Sequence, residues 1–124
     1  MDDEERGVGM IFTIDLPVPT NRAYATNRGR WYKTAECKAW EIKAGWVIKQ
    51  SWKKKPLEGR VVVDIWFIFK DDRRDIDGGI KPVLDLLQRQ GVYKNDRQVW
   101  DMPVHKRFDK EFPRCEVEVR EFTL

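Results

Sequence analysis

The chain has 124 residues, of which 41% are hydrophobic and 36% are charged, a length and composition that suit one domain with one core. No apolar run approaches the roughly 20 residues needed to cross a bilayer, which excludes a membrane-spanning helix. The formal charge is only +3, but residues 22–55 carry ten basic and two acidic side chains, which indicates a polyanionic partner.

The first residues give no sign of a secretory signal. Residues 1–7 are acidic and contain no apolar core, so we interpret them as a flexible acidic tail and assign residues 8–124 to a single domain. Cys37 and Cys115 are then expected to be reduced thiols. The sequence predicts a cytoplasmic protein with no membrane contact.

Residues 8–16 are predicted to form a strand. Met10, Phe12 and Ile14 share one face by alternation, and Pro17 and Pro19 end the pattern.

Residues 20–33 are rich in turn formers and are predicted to be a surface loop. Basic and aromatic side chains interleave there, so the loop can bind phosphates and stack on bases or sugars. The alternative is a loop whose aromatic side chains only anchor it to the core. The basic candidates are Arg22, Arg28, Arg30 and Lys33, and the aromatic ones are Tyr24, Trp31 and Tyr32.

A helix is predicted from Thr34, a suitable N-cap, to about Trp52. Its apolar stripe is expected to comprise Ala35, Ala39, Ile42 and Trp46, which follow helical spacing until Lys49 breaks the stripe. Trp40, Val47 and Ile48 are expected to widen the apolar surface. The lysines at residues 53–55 are interpreted as a solvated helix end that complements the helix dipole.

Residues 60–70 are apolar on both faces, which is typical of a strand at the centre of its sheet. After a loop over residues 71–77, apolar residues at 80, 83, 84 and 87 predict a second helix. Pro82 places its start near Gly79 or Ile80, and Gly91 is expected to end it in a left-handed conformation.

The last third of the chain predicts two strands, residues 98–108 and 114–122, joined by a turn over residues 109–113. Pro103 indicates an edge strand or a bulge, and we interpret His105, the single histidine, as structural. Alternation of Cys115, Val117 and Val119 with charged residues predicts one solvated face. The order β-α-β-α-β-β predicts a two-layer α+β domain, with a mixed sheet packed against helices.

Four residues stand out as a candidate site. Asp75 and Asp77 follow the central strand, and residues one apart in an extended chain point to the same side. Lys81 lies four residues further, and Asp96 follows the turn at Gly91. Three converging carboxylates in a chain with a basic segment indicate a magnesium site that acts on phosphodiesters.

Simpler interpretations exist for each of these residues. Aspartates are common in turns and at helix starts, and Lys81 can serve only as an ion-pair partner. Arg73 and Arg74 beside the pair favour a phosphate neighbour. We interpret Asp71, Asp72 and Asp85 as solvated or turn residues.

The acidic block resembles the RusA family of Holliday-junction resolvases. The similarity comprises R-D-I-D-x-x-x-K-x-x-L-D-x-L over residues 74–87, G-V-Y-K-N-D-R-Q-V over residues 91–99 and P-V-P-T-N-R-A-Y over residues 17–24. It differs at Gly78, where the family usually has asparagine, and at Asn95, where the family often has a second acid.

The resemblance implies a RusA-like domain that forms homodimers and cuts four-way DNA junctions with Mg²⁺ or Mn²⁺. On that basis Asp75, Asp77 and Asp96 bind the metal and Lys81 assists at the phosphate. The side chains expected to contact the DNA backbone are Arg22, Arg28, Arg30, Lys33, Arg73 and Arg74.

Three alternatives remain open on the sequence. The first is a non-catalytic nucleic-acid junction-binding protein with a decayed site. The second is a domain in which a metal such as calcium serves stability. The third is a nuclease with another preference, such as flaps or RNA.

Overall fold

A computed structural model of the protein describes residues 9–123, and the predicted acidic tail at residues 1–7 lies outside this range. A five-stranded mixed sheet packs against helices on one face, which confirms the predicted α+β class. Within residues 9–123, no helix has the combination of length and apolarity that crossing a membrane requires. In chain order the elements are β1 (Met10–Ile14), α1 (Thr20–Ala23), β2 (Tyr24–Asn27), β3 (Arg30–Lys33), α2 (Ala35–Ser51), β4 (Val61–Phe69), a 3₁₀ helix (Ile76–Gly79), α3 (Ile80–Arg89), a second 3₁₀ helix (Asp96–Gln98), β5 (Val99–Asp101), β6 (Val104–Phe108) and β7 (Arg114–Glu121).

Strand β4 is the centre of the sheet, as its two apolar faces predicted. It pairs antiparallel with β7 on one side and parallel with β5 and β6 on the other, and β1 lies outside β7. All nine of its residues are buried. A strand that is paired on both sides gives a rigid support for the segment that follows Phe69.

The predicted strand over residues 98–108 is divided into β5 and β6 at Pro103. Both parts pair with the same edge of β4, and the carbonyl of Pro103 accepts a hydrogen bond from the amide of Ile65 at 2.9 Å. Proline has no amide hydrogen to donate, so an edge position is where it is tolerated. The turn over residues 109–113 then crosses the end of β4, so β6 and β7 flank β4 and do not pair with each other.

Helix α2 begins after Thr34, whose Oγ1 accepts a hydrogen bond from the amide of Cys37 at 3.2 Å, as predicted for an N-cap. The predicted apolar stripe is wrong, because Ile42 is 75% exposed and Trp46 is 62% exposed. Trp40 and Ile48, which were predicted only to widen the stripe, are buried. The opposite face of α2 is buried and includes Trp40, whose indole Nε1 donates to the carbonyl of Asp15 at 2.9 Å. The buried residues of α2 are Cys37, Trp40, Ala44, Gly45 and Ile48.

Residues 20–33 are not a loop, which corrects the prediction. They form α1 and a hairpin of β2 and β3, whose tip has Arg28 at φ 53° and Gly29 at φ 79°. A two-residue turn with both φ angles positive matches the right-handed twist of paired strands. The turn formers in this segment therefore reverse the chain between two short strands.

The charged face of β7 is buried, although the alternation of charged and apolar residues predicted that this face would be solvated. Glu116 is 5% exposed and Glu118 is fully buried. Arg120 donates to Glu118 Oε1 at 2.7 Å and to Asp64 Oδ2 at 2.8 Å, and Arg114 Nε donates to Glu116 Oε2 at 3.1 Å. Buried carboxylates persist because these guanidinium groups are their partners.

His105 belongs to the same face of the sheet. Its Nε2 lies 3.1 Å from Asp64 Oδ1, and its ring stacks on Trp66 with centroids 4.8 Å apart. Both contacts are with side chains of β4, so His105 packs within the sheet.

Candidate active site

The loop after β4 is tied to the segment that follows β1. The guanidinium Nη2 of Arg74 donates to the carbonyl of Pro17 at 2.8 Å, and the same group lies 5.0 Å from the ring centroid of Phe69. Burial, followed by repulsion from the nearby Arg22, lowers the pKa of Arg74. Two arginines are therefore close together beside the acidic pair, an arrangement that an anion would stabilise.

Gly79 lets the acidic segment approach the core closely. A Cβ atom at this residue would lie 2.5 Å from Cγ of Pro17 and 2.9 Å from Cε1 of Phe67, and both of those rings are buried. At Gly78, in contrast, the nearest atom to an added Cβ would be Cβ of Pro19 at 4.0 Å. The close packing at Gly79 therefore fixes the short helix that carries Asp77.

Asp75 and Asp77 are both exposed and line one cavity of about 320 Å³. Asp75 has an extended backbone, with φ −77° and ψ 150°, but Asp77 already belongs to the 3₁₀ helix Ile76–Gly79. The two carboxylates therefore share a cavity because the 3₁₀ helix begins between them. From the sequence we expected them to lie on the same side of an extended chain, and that explanation is wrong. Arg22, Arg73 and Arg74 line this acidic cavity with them.

The donor set of the acidic cavity fits a hard divalent cation. Within residues 9–123, no three cysteine, histidine or acidic side chains are grouped closely enough to hold one metal ion. Mg²⁺ commonly needs only one or two carboxylates, because it retains water and binds substrate phosphates. Asp75 and Asp77 would supply these two carboxylates, and the arginines beside them would suit a phosphate.

Asp96 lies against α3 and does not line the acidic cavity. Its amide donates to Gln88 Oε1 at 3.1 Å, and its Oδ1 lies 2.9 Å from the hydroxyl of Tyr93, which also approaches the carbonyl of Leu84 at 3.0 Å. Leu84 lies in the middle of α3, whereas Asp77 lies in the 3₁₀ helix that precedes it. The structure therefore places Asp96 beside the middle of α3, and its role as a metal ligand stays a prediction.

Tyr93 is a neighbour of the candidate site that the sequence did not single out. It is fully buried, and burial, reinforced by the hydrogen bond to Asp96, raises the pKa of Tyr93. Its hydroxyl therefore remains a hydrogen-bond donor across the working pH range. A donor that holds a carboxylate in one orientation is typical of residues that support a ligand or a base.

Lys81 faces a groove next to the acidic cavity. Its Nζ lies 3.5 Å from Asp85 Oδ2, an i, i+4 pair on α3, and its side chain is 70% exposed. Asp85, interpreted from the sequence as solvated, is thus the partner of Lys81, and the four-residue spacing was the signal for this pair. The groove is lined by Thr20, Asn21, Tyr24, Trp31 and Lys81.

The other predicted DNA contacts lie on or beside the hairpin. Arg28 and Arg30 are exposed near its tip, whereas Lys33 Nζ lies 2.7 Å from Glu41 Oε1. Arg89 also binds Glu41. Burial alone would raise the pKa of Glu41, but hydrogen bonds from Lys33 and Arg89 outweigh it and lower that pKa. The charge of Lys33 is therefore already paired within the protein.

Comparison with known proteins gives a consistent result. The family model described as endodeoxyribonuclease RusA matches residues 16–120. A crossover junction endodeoxyribonuclease RusA of Aquifex aeolicus is 29% identical over 114 residues, which are 90% of this chain and 90% of the relative. The protein of the same name from Escherichia coli K12 is 35% identical over 98 residues, covering 77% of this chain and 82% of the relative. The corresponding protein of Enterobacteria phage 82 is 35% identical over 95 residues, covering 76% and 79%.

Proposed function

This chain belongs to the RusA family of endodeoxyribonucleases, and from that premise we propose that it resolves four-way DNA junctions by metal-assisted hydrolysis of phosphodiester bonds. The observation that carries the proposal is the acidic cavity, where two exposed carboxylates adjoin three arginines. Carboxylates bind a divalent cation, and guanidinium groups bind a phosphate. The proposed role lies in DNA recombination and repair.

Asp75 and Asp77 would hold Mg²⁺ or Mn²⁺ in this cavity. Such an ion, when bound, polarises the scissile phosphate and lowers the pKa of water. Arg22 and Arg73 orient the phosphate by hydrogen bonds, and Lys81 stabilises negative charge on the phosphate or the leaving oxygen. In the overall reaction a P–O bond breaks and an oxygen from water takes its place on phosphorus.

Asp96 is the third proposed ligand, and Tyr93 is proposed to support it. The Tyr93 hydroxyl donates to Asp96 Oδ1, which would hold that carboxylate in one orientation. Asp75 and Asp77 form the primary pair, because they are the two that share the acidic cavity.

The partners in this proposal are branched DNA and a second copy of the chain. A four-way junction has two-fold symmetry, so a homodimer can present one acidic cavity to each of two opposed strands. The exposed arginines hold the backbone through phosphate contacts, which position the DNA without reading its sequence. A cytoplasmic location is part of the proposal, because the DNA that such an enzyme would cut lies there.

Cleavage assays on three labelled substrates test the proposal. In Mg²⁺ we expect the purified protein to nick a synthetic four-way junction at least about a hundredfold faster than the matched linear duplex, and faster than a flap. With EDTA we expect binding without nicking. Equal rates on the junction and the duplex, or nicking in EDTA, would contradict it.

A non-catalytic junction binder is the second candidate. It would explain Gly78 and Asn95, the two residues at which this chain differs from the pattern usual in the family. The same assays separate the two functions, because a binder retains the junction tightly and shows no nicking at any Mg²⁺ or Mn²⁺ concentration.

A further inference from the structure

A mostly apolar groove adjoins the acidic cavity and has no role in the chemistry described so far. It has a volume of about 490 Å³, and its largest side chain is Trp31, which is 74% exposed on β3. Tyr24, on the paired strand β2, also lines it. An exposed indole beside a second aromatic ring offers a flat apolar surface to a ligand.

The two cavities are neighbours. Thr20 and Asn21 line both of them. The hydroxyl of Thr20 donates to the carbonyl of Gly78 at 3.0 Å, which joins α1 to the short helix that carries Asp77. A ligand with one part at Asp77 can therefore place its next part against Trp31.

The hairpin that carries Trp31 is fixed in position. The amide of Thr34 donates to the carbonyl of Ala23 at 2.9 Å, which closes the hairpin base, and Ala23 is fully buried. The ion pair of Lys33 with Glu41 at 2.7 Å ties β3 to α2. The aromatic surface is thus held in place before a ligand arrives, which lowers the entropic cost of binding.

The charge around the groove favours a polyanion. Of the five residues that line it, none is acidic and one, Lys81, is basic and largely exposed, with Asp85 as its ion-pair partner on α3. Arg28 and Arg30 are exposed at the hairpin tip next to Trp31. Aromatic rings combined with basic groups along a groove are the usual surface for single-stranded nucleic acid.

We propose that this groove binds an unstacked nucleobase next to the scissile phosphate, with Trp31 as the stacking surface. This inference rests on the proposed function, since it needs a phosphate at Asp75 and Asp77. In a linear duplex each base is covered by its neighbours, whereas the open form of a four-way junction leaves base faces exposed at the branch point. Trp31 would therefore favour branched DNA over linear duplex DNA.

The test compares Trp31→Ala, Trp31→Phe and wild type on a four-way junction in EDTA, with 2-aminopurine at single positions around the branch point. We expect an indole-dependent quenching of fluorescence at one position or more, which Trp31→Ala abolishes. Junction affinity should fall by about fivefold to a hundredfold in Trp31→Ala and remain near wild type in Trp31→Phe. Affinity for the linear duplex and the salt dependence of junction binding should not change.

Trp100→Ala is the matched control. Trp100 is 54% exposed on β5, which pairs with the first residues of β4, whereas the acidic loop leaves the other end of β4. The Trp100→Ala variant should bind the junction and quench 2-aminopurine fluorescence as wild type does. Unchanged affinity and fluorescence in Trp31→Ala, or an equal loss on junction and duplex, would overturn the inference. The binding assay needs no cleavage, so it decides this inference even if the protein fails to nick junctions in Mg²⁺.

Discussion

Replacing Asp75 by asparagine is expected to reduce junction nicking in Mg²⁺ at least about a hundredfold. The amide has nearly the same size as the carboxylate but no negative charge, so the acidic cavity would lose one of its two carboxylate charges. Asp75 is exposed and makes no capping hydrogen bond, so the melting temperature should stay within about 1 °C of wild type. Initial nicking rates and thermal melting measure the two effects.

Asp72→Asn is the control for this variant. It removes the same charge from the same loop at an exposed residue that does not line the acidic cavity. Junction binding in EDTA should remain within about twofold of wild type in both variants, because neither loses a basic phosphate contact. An Asp75→Asn protein that nicks junctions as fast as Asp72→Asn would remove Asp75 from the mechanism.

Substituting Gly79 by alanine is expected to lower the free energy of unfolding by about 1–3 kcal/mol. The new methyl group would meet Pro17 and Phe67 at distances that these buried rings cannot relieve without moving. In a domain of this size the melting temperature should fall by roughly 3 °C or more for each kcal/mol. Nicking should fall as well, because the short helix that carries Asp77 must shift.

Gly78→Ala separates crowding from the general effect of removing a glycine. A Cβ atom there would lie 4.0 Å from the nearest atom, which is ordinary contact. We expect thermal stability and nicking close to wild type. If Gly78→Ala and Gly79→Ala lose stability equally, the close approach of Gly79 to the core is not what places the acidic segment.

The sequence predicted β4 and α3 well because their patterns are strong. Apolar residues on both faces of a nine-residue run leave few alternatives to a central strand. The spacing of apolar residues in α3, with Pro82 in its first turn and Gly91 after its end, defines one helix. Helix α2 was predicted with correct bounds but the wrong buried face, since both of its faces carry large apolar side chains. Which face is buried depends on packing with β1 and α3, and local spacing does not record that packing.

In the candidate site, too, contacts between residues near in sequence could be predicted and contacts set by tertiary packing could not. Asp75 and Asp77 are only two residues apart in the chain, so the sequence alone predicts that they lie close together. The place of Asp96 depends on Tyr93, which packs under α3 after the chain turns at Gly91, and no spacing rule predicts that contact. The hairpin that carries Trp31 was missed because its residues are the same turn formers and polar residues that make surface loops.

Binding of Mn²⁺ to the protein alone, followed by the electron paramagnetic resonance signal of the free ion, tests most directly whether Asp75 and Asp77 hold a divalent cation. We expect wild type and Asp72→Asn to deplete the free signal and the double variant Asp75→Asn, Asp77→Asn to leave it unchanged. Equal depletion by the double variant and wild type would contradict the assignment of the cation to this pair.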